Sequence, residues 1–401
     1  MRSSFEFYST KNVIFGNGSI KKIGKILCRL NAKNVQIITD EGIKNAGLLA
    51  KVAELIEESG CIAAIYDKAV PEPPIEAAVE CLEFAKAAQK TDAVIGLGGG
   101  SSIDLAKIVA LLMEYGGHPR DYFGGENLVP GPIATLIAIP TTAGTGSEVT
   151  SVAVLTDTEN NLKVGISDNY LRPAVALLDP ELTVKLPPFV TACSGIDALA
   201  HAIEAFTAKD FKYIDTKGEL LFQGANPISD ALAIKAMELI FHNLPLAVQQ
   251  GSNLEARGHL LMGSLLAGMA FSNAGTAAAH ALAYPIGARS KSPHGLVTGL
   301  LLPYVMDYNV HAVPEKMKAV AQVFGLNTEG LSTKESGRLA AKAVMELLHT
   351  IGLPQKLSQI NIDANDIPDI AEQALPIERL IRNNPRVPSK DSLIELLNQA
   401  Y

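Results

Sequence analysis

Hydrophobic positions follow two rhythms along the chain, and the change falls at Pro187-Pro188. Before it, short apolar runs alternate with stretches of helical period. NVQIITD (34–40) reads as a buried strand, followed by CIAAIYD (61–67), DAVIGLGGG (92–100) and the apolar start of PIATLIAIPTTAGTGSE (132–148). Between them AGLLAKVAELIEESG (46–60), PIEAAVECLEFAKAAQ (74–89) and SSIDLAKIVALLM (101–113) read as helices, the first amphipathic and closed by Gly60. Strand and helix in alternation imply βαβ units and a parallel sheet with right-handed crossovers. From Thr191 to Tyr401 the period is mostly 3.6, as in DALAIKAMELIFHNL (230–244) and ESGRLAAKAVMELLHTIG (335–352). The expected organisation is an α/β domain over 1–186 and an all-helical domain over 187–401.

Length and charge narrow the classes. A chain of 401 residues is too long for one ordinary core, which agrees with two domains. The net charge of −8, without Lys/Arg clusters, argues against nucleic-acid or anionic-membrane partners. MRSSFEFYSTKNVIFGNG has no apolar core of a signal peptide, and no apolar run approaches the roughly 20 residues of a membrane span. Cys28, Cys61, Cys81 and Cys193 form no CxxC pair and read as small hydrophobes in a reducing, cytoplasmic compartment.

Three stretches carry candidate chemistry. In GLGGGSSIDLAK (96–107), three glycines after a strand let backbone approach a ligand, and Ser101 and Ser102 open a helix whose free amides suit an anion. This is not the G-x-G-x-x-G fingerprint, and glycines at a strand end also serve plain turns. Asp104 there could cap, orient the loop or complement the helix dipole. PTTAGTGSE (140–148) brings Thr141, Thr142, Thr145 and Ser147 to another strand end, where hydroxyls can serve phosphate, ribose or their own turn. Two such loops at the C-terminal ends of parallel strands is how open α/β sheets bind nucleotides. Asp40, closing IITD, could accept from a ribose 2′-OH and disfavour a 2′-phosphate, or cap the following segment. The third stretch is SGIDALAHAIEA (194–205), where Asp197 and His201 lie one helical turn apart with Glu204 just beyond. With His280 and His294, fourteen residues apart, they make one carboxylate and three imidazoles, a donor set suited to Fe(II) or Zn(II).

GGGSSIDLAK, PTTAGTGSE, GIDALAHAIEA and HALAYPIGARSKSPHG, in this order, resemble the iron-containing (group III) alcohol dehydrogenases. The likeness extends over nearly the whole chain, including NVIFGNGSI (12–20), LLDPELT (177–183) and GLLLPYVMDYN (299–309). It implies a Rossmann-like dinucleotide domain with a parallel sheet, an all-helical domain of the dehydroquinate-synthase type, and an active site in the cleft between them. It implies metal ligands at Asp197, His201, His280 and His294. It implies NAD contacts at Asp40, Gly98, Gly99, Ser101, Asp104, Thr141, Thr142, Thr145, Ser147 and Lys163. The activity implied is metal-dependent hydride transfer between NAD(H) and a primary alcohol or aldehyde, by a dimer or larger homo-oligomer.

Two departures from the family pattern stand out. Members often carry a second histidine four residues after the third ligand, and here that position is Tyr284. A phenol donates a hydrogen bond, but a pKa near 10 makes it a poor base. The link 205–232 is also longer than usual, with extra residues about 208–224. Both features resemble the hydroxyacid–oxoacid transhydrogenase branch, which acts on 4-hydroxy acids. A dehydroquinate-synthase-type lyase and a catalytically silent metal- or nucleotide-binding protein are the other readings.

Overall fold

The computed structural model describes residues 1–88, 90–159, 162–214 and 220–401. They form two compact units, Tyr8–Leu186 and Pro187–Tyr401, the latter together with Met1–Phe7.

The first unit holds strands β1 (Asn12–Phe15), β2 (Asn34–Asp40), β3 (Ile62–Ala69), β4 (Ala93–Gly98), β5 (Leu136–Pro140), β6 (Val152–Asp157), β7 (Leu162–Ser167) and β8 (Val175–Leu178). Six of them form one all-parallel sheet in the order β1-β8-β5-β4-β2-β3. Its helices are α1 (Ile23–Arg29), α2 (Glu41–Asn45), α3 (Leu48–Glu58), α4 (Ile75–Ala87) and α5 (Gly100–Tyr115). Successive strand residues face opposite ways, so each inner strand must satisfy two cores. Val35, Ile37, Ile95, Leu97, Ile137 and Ile139 pack with α1 and α3, through Leu27, Val52 and Ile56 among others. Ile38, Val94 and Leu136 point the other way, against Leu82 of α4 and Leu105, Ile108 and Val109 of α5. Each such side chain contributes roughly 1.5–3 kcal/mol of burial. Continuous apolar runs, without polar alternation, are what a sheet covered on both faces requires.

From β2 the chain goes to β3 on one side and then returns to β4 on the other. The C-terminal ends of β2 and β4, Asp40 and Gly98, therefore flank the point where strand order reverses. The four-residue strands β1 and β8 are too short to show a period and were not expected. Nor was the antiparallel hairpin β6-β7, which feeds Ala153, Leu155 and Ile166 into the α4–α5 core.

The second unit is helical: α6 (Pro188–Thr207), α7 (Pro227–Gln249), α8 (Leu254–Ala274), α9 (Ala278–Ser290), α10 (His294–Asn309), α11 (Pro314–Val323), α12 (Thr333–Thr350), α13 (Ile367–Ala374), α14 (Glu378–Ile381) and α15 (Lys390–Ala400), with no strand among the described residues. The N-terminal arm joins it, Phe5 meeting Phe211 edge-on at 5.0 Å and the Arg2 amide donating to the Lys212 carbonyl. By length and composition alone α6 and α7 could each cross a membrane, contrary to the expectation from the bare sequence. In α6 that apolar character is core packing, 83% of the span being buried.

The first unit also has a polar core. Lys107 of α5, wholly buried, donates to Thr150 Oγ1 (3.0 Å) and the Val152 carbonyl (2.7 Å), with Asp104 at 3.7 Å. Burial brings the Lys107 pKa down to about 8. Glu148, also buried, is pushed up to about 7 by desolvation, and its Oε1 has no hydrogen-bond partner. A carboxyl group that holds its proton more tightly in the folded chain contributes stability that is complete below 4.5 and is lost as pH rises through about 7. Glu148→Gln removes that titration. The variant should therefore gain stability over the native chain between about pH 5 and about pH 8, by up to about 3 kcal/mol in urea unfolding. A difference that is the same at both pH values contradicts the assignment.

Candidate active site

In the first unit, nine of the ten expected cofactor residues gather at the C-terminal ends of β2, β4 and β5. Gly98 adopts φ +148°, and a Cβ there would stand 2.6 Å from Ser102 Oγ and 3.2 Å from Asp40 Oδ2, so only glycine fits. Its carbonyl accepts from the Thr141 amide at 3.0 Å, joining the two loops. Gly99 precedes α5 without a side-chain cap, leaving the first amides of a sixteen-residue helix to an anion. Thr142 lies 3.5 Å from where a Gly99 Cβ would be, and Thr141 Oγ1 is buried with no hydrogen-bond partner. Ser101 Oγ accepts from the Glu72 amide (3.2 Å), and Thr145 Oγ1 accepts from the Ser147 amide (3.2 Å).

Three of these residues do structural work. Asp40 caps α2 by accepting from the Ile43 amide (3.0 Å), and its Oδ2 accepts from Ser102 Oγ (3.1 Å). Asp104 accepts from Ser147 Oγ and from the Val154 amide (3.0 Å), tying α5 to the threonine-rich loop and to β6. Burial raises the Asp104 pKa, with Lys107 and these donors opposing. Lys163, on β7, pairs with Glu72, whose own amide donates to Ser101 Oγ.

The second unit assembles the other candidate centre from three helices. On α6, Asp197, His201 and Glu204 follow i, i+4, i+7 spacing, and all three are buried. Helices α8 and α9 meet at 102°, turning at Gly275 in the left-handed region (φ +91°). Glu204 occupies that corner. It accepts from the amides of Ala277 (2.8 Å) and Ala279 (2.7 Å), where the positive end of α9 favours an anion, and contacts His280 Nδ1 at 2.5 Å. The accepting carboxylate assigns the proton to Nδ1 and turns Nε2 toward Asp197. Helix α10 opens with His294, and its next residue lets it sit directly on α6. A Cβ at Gly295 would stand 2.3 Å from the Cys193 carbonyl and 2.8 Å from Asp197 Cβ.

As a result Asp197, His280 and His294 each offer a ligand atom to a set in which all lie within 4.8 Å of one another. Asp197 Oδ1 and His280 Nε2 are 3.8 Å apart, beyond hydrogen-bonding distance, and His280 Nε2 is buried with no hydrogen-bond partner. A buried nitrogen of that kind, oriented by a carboxylate behind it, fits a divalent cation. Burial opposes a charge on His280, but Glu204 and then Asp197 outweigh it and raise its pKa. His201, expected as a fourth ligand, lies beside this set without joining it. Its ring stacks against Phe271 (4.2 Å between centroids) and His280 (4.6 Å). Tyr284, one turn beyond His280, has its ring 5.8 Å from that of His294, and its hydroxyl accepts from Arg379 (2.9 Å).

The sequence reading missed three contributors. Glu204 was legible as the next residue on the Asp197–His201 face but received no role. Gly295 and Arg379 carry no spacing signal at all. In the longer link, the Gln223 and Gly224 amides donate to the carbonyls of Asn273 and Ala274, beside the α8–α9 corner; 215–219 lie outside the described residues.

A parallel sheet with glycine- and threonine-rich loops at its switch point, and a helical unit with a buried Asp–His–His set, define a class of nucleotide- and metal-dependent enzymes. The comparisons specify it further. Residues 10–180 match the model of the iron-containing alcohol dehydrogenases, and residues 191–401 match that family's C-terminal model. The chain is 36% identical over 394 residues to the NAD-dependent methanol dehydrogenase of Bacillus methanolicus, covering 98% of this chain and 99% of that one. It is likewise 36% identical to the 1,3-propanediol dehydrogenase of Citrobacter freundii, covering 98% of each. A crystal structure of 1,3-propanediol oxidoreductase superposes with a TM-score of 0.93 at 35% identity, covering 99% of this chain and 100% of that one. The chain belongs to the iron-containing alcohol dehydrogenase family.

Two substitutions test how the centre is built. Glu204→Gln should weaken cation retention about 10–100-fold, as loss of a carboxylate behind a metal-binding histidine does elsewhere. Gly295→Ala should displace α10 from α6 and lower retention as well. Both are read by titrating Co(II) against a chelating indicator, and native affinity in Glu204→Gln would refute the orienting role.

Proposed function

We propose that the chain catalyses reversible hydride transfer between NAD(H) and a small primary alcohol or aldehyde, using a divalent cation held by Asp197, His280 and His294. The buried Asp–His–His set, within segments matching the family on both sides, is the observation that carries this reading. His201 is proposed as the fourth ligand, reached by rotation of its side chain out of the Phe271 stack. A cation bound there supplies Lewis-acid polarisation of the substrate oxygen, and NAD supplies the hydride acceptor. The remaining work belongs to the chain. Glu204 keeps the His280 proton on Nδ1, so that Nε2 is available as a donor atom. Tyr284, close to His294, can donate a hydrogen bond to substrate.

The first unit is proposed to hold the dinucleotide. Uncapped α5 amides would receive the pyrophosphate, with Thr141 and Thr142 beside it. Asp40, held by Ile43 and Ser102, would repel a 2′-phosphate and favour NAD over NADP. Relatives named for alcohol and diol dehydrogenation favour this reading over a lyase or a silent binding protein. Fe(II) is the proposed cation, with Zn(II) the alternative. Four free cysteines accord with a cytoplasmic setting, and the family likeness with a homo-oligomer.

Elemental analysis of anaerobically purified protein, followed by reconstitution with each metal, tests the proposal. His280→Ala should abolish cation retention and NADH-dependent aldehyde reduction together. Full turnover in a metal-depleted His280→Ala variant would end it.

A further inference from the structure

One basic side chain stands beside the imidazole set. Arg379, on α14, donates through Nη2 to Tyr284 Oη at 2.9 Å. The buried amide of Asn383 donates to the Arg379 carbonyl (3.0 Å) and to that of Thr276 (3.3 Å), fastening α14 to the start of α9. Tyr284 and His280 are one turn apart on α9, and Tyr284 stands beside His294. Among the described residues no carboxylate lies within 4.0 Å of the guanidinium. A half-buried arginine is usually paired, because its charge is costly to desolvate alone. Among the described residues one neutral acceptor, Tyr284 Oη, meets a group with five donors in a planar fork. Tyr284 Oη, having accepted, retains its own proton to donate.

We propose that Arg379 and Tyr284 form an anion grip, and that the preferred substrate is a short aldehyde or alcohol carrying a carboxylate, sulfonate or phosphonate. The inference rests on the oxidoreductase reading and names its substrate class. It adds no chemical step. The guanidinium binds the charged end, which orients the carbonyl end toward Asp197, His280 and His294. Such a grip discriminates, since a neutral substrate offers the half-buried fork no charged partner.

The test compares kcat/KM for NADH-dependent reduction of succinate semialdehyde, 2-oxoethanesulfonate and 2-oxoethylphosphonate with that for butanal, using Fe(II)-reconstituted protein. The native chain should prefer at least one of the anionic aldehydes, and the order among the three identifies the oxyanion. In Arg379→Gln the anionic-to-neutral ratio should fall about 10- to 100-fold, mainly through KM. Arg379→Lys should recover part of it, having the charge without the fork. Calorimetry supplies a readout independent of turnover: butanoate, ethanesulfonate or ethylphosphonate should bind the native protein and not Arg379→Gln. Reduction of butanal with no preference for any anion, or an equal loss on all four aldehydes in Arg379→Gln, overturns the proposal and leaves the oxidoreductase reading standing. If no aldehyde is reduced with any metal while the saturated anions still bind through Arg379, the oxidoreductase reading fails and the grip survives.

Discussion

The helical unit turns on one buried carboxylate. Glu204 accepts two amides from the first turn of α9 and contacts His280 Nδ1, so a single side chain caps a helix, fixes a 102° corner and sets an imidazole tautomer. An ionised carboxylate out of water is tolerable only with such a set of donors. The positive end of α9 adds to them. Those bonds also explain why a polar residue persists in so apolar a helix as α6. Removing the carboxylate would leave two amides orphaned at a buried helix start and free the imidazole to turn. Geometry of the centre and stability of the corner are therefore the same interaction.

The first unit solves a similar problem with neutral and charged groups together. Gly98, Ser102 and Asp40 approach closely at the switch point because a glycine without Cβ permits it. Behind them Asp104, Ser147, Lys107 and Thr150 link α5 to the loop after β5 and to β6. This network is why the hydroxyl-rich loop has a defined shape, since its own backbone offers little regular structure. Asp104 and Ser147 are engaged with each other, so they position the loop, whereas Thr141 Oγ1, buried and unengaged, is better suited to touch a ligand.

Fold class was legible because parallel strands buried on both faces need mostly apolar runs: β4 and β5 have them, and β2 departs only at buried Gln36 and Thr39 between its polar ends. Short β1 and β8 were not, as four residues cannot display a period. The hairpin β6-β7 was hidden for a different reason: its alternation is one-sided, and it lies in a segment to which the apolar pattern assigned no element. At the site, Asp197 and His201 announced themselves by helical spacing, and His280 and His294 by residue type. What spacing could not convey was packing. Gly295 matters through its distance from α6, and Arg379 through a contact across 95 residues of sequence.

His201 shows how far spacing reaches and where it stops. It shares a helix face with Asp197, which sequence reveals, but ring stacking with Phe271 and His280 governs its orientation, which sequence does not. Asp197 Oδ1 on α6 and His280 Nε2 on α9 stand 3.8 Å apart. Gly295 and Gly299 seat α10 so tightly on α6 that the helices have no room to approach further. Any adjustment must therefore come from side-chain torsions. Glu204 restrains that freedom at His280, whereas His201 is held by the aromatic stack alone among the ring contacts of the centre.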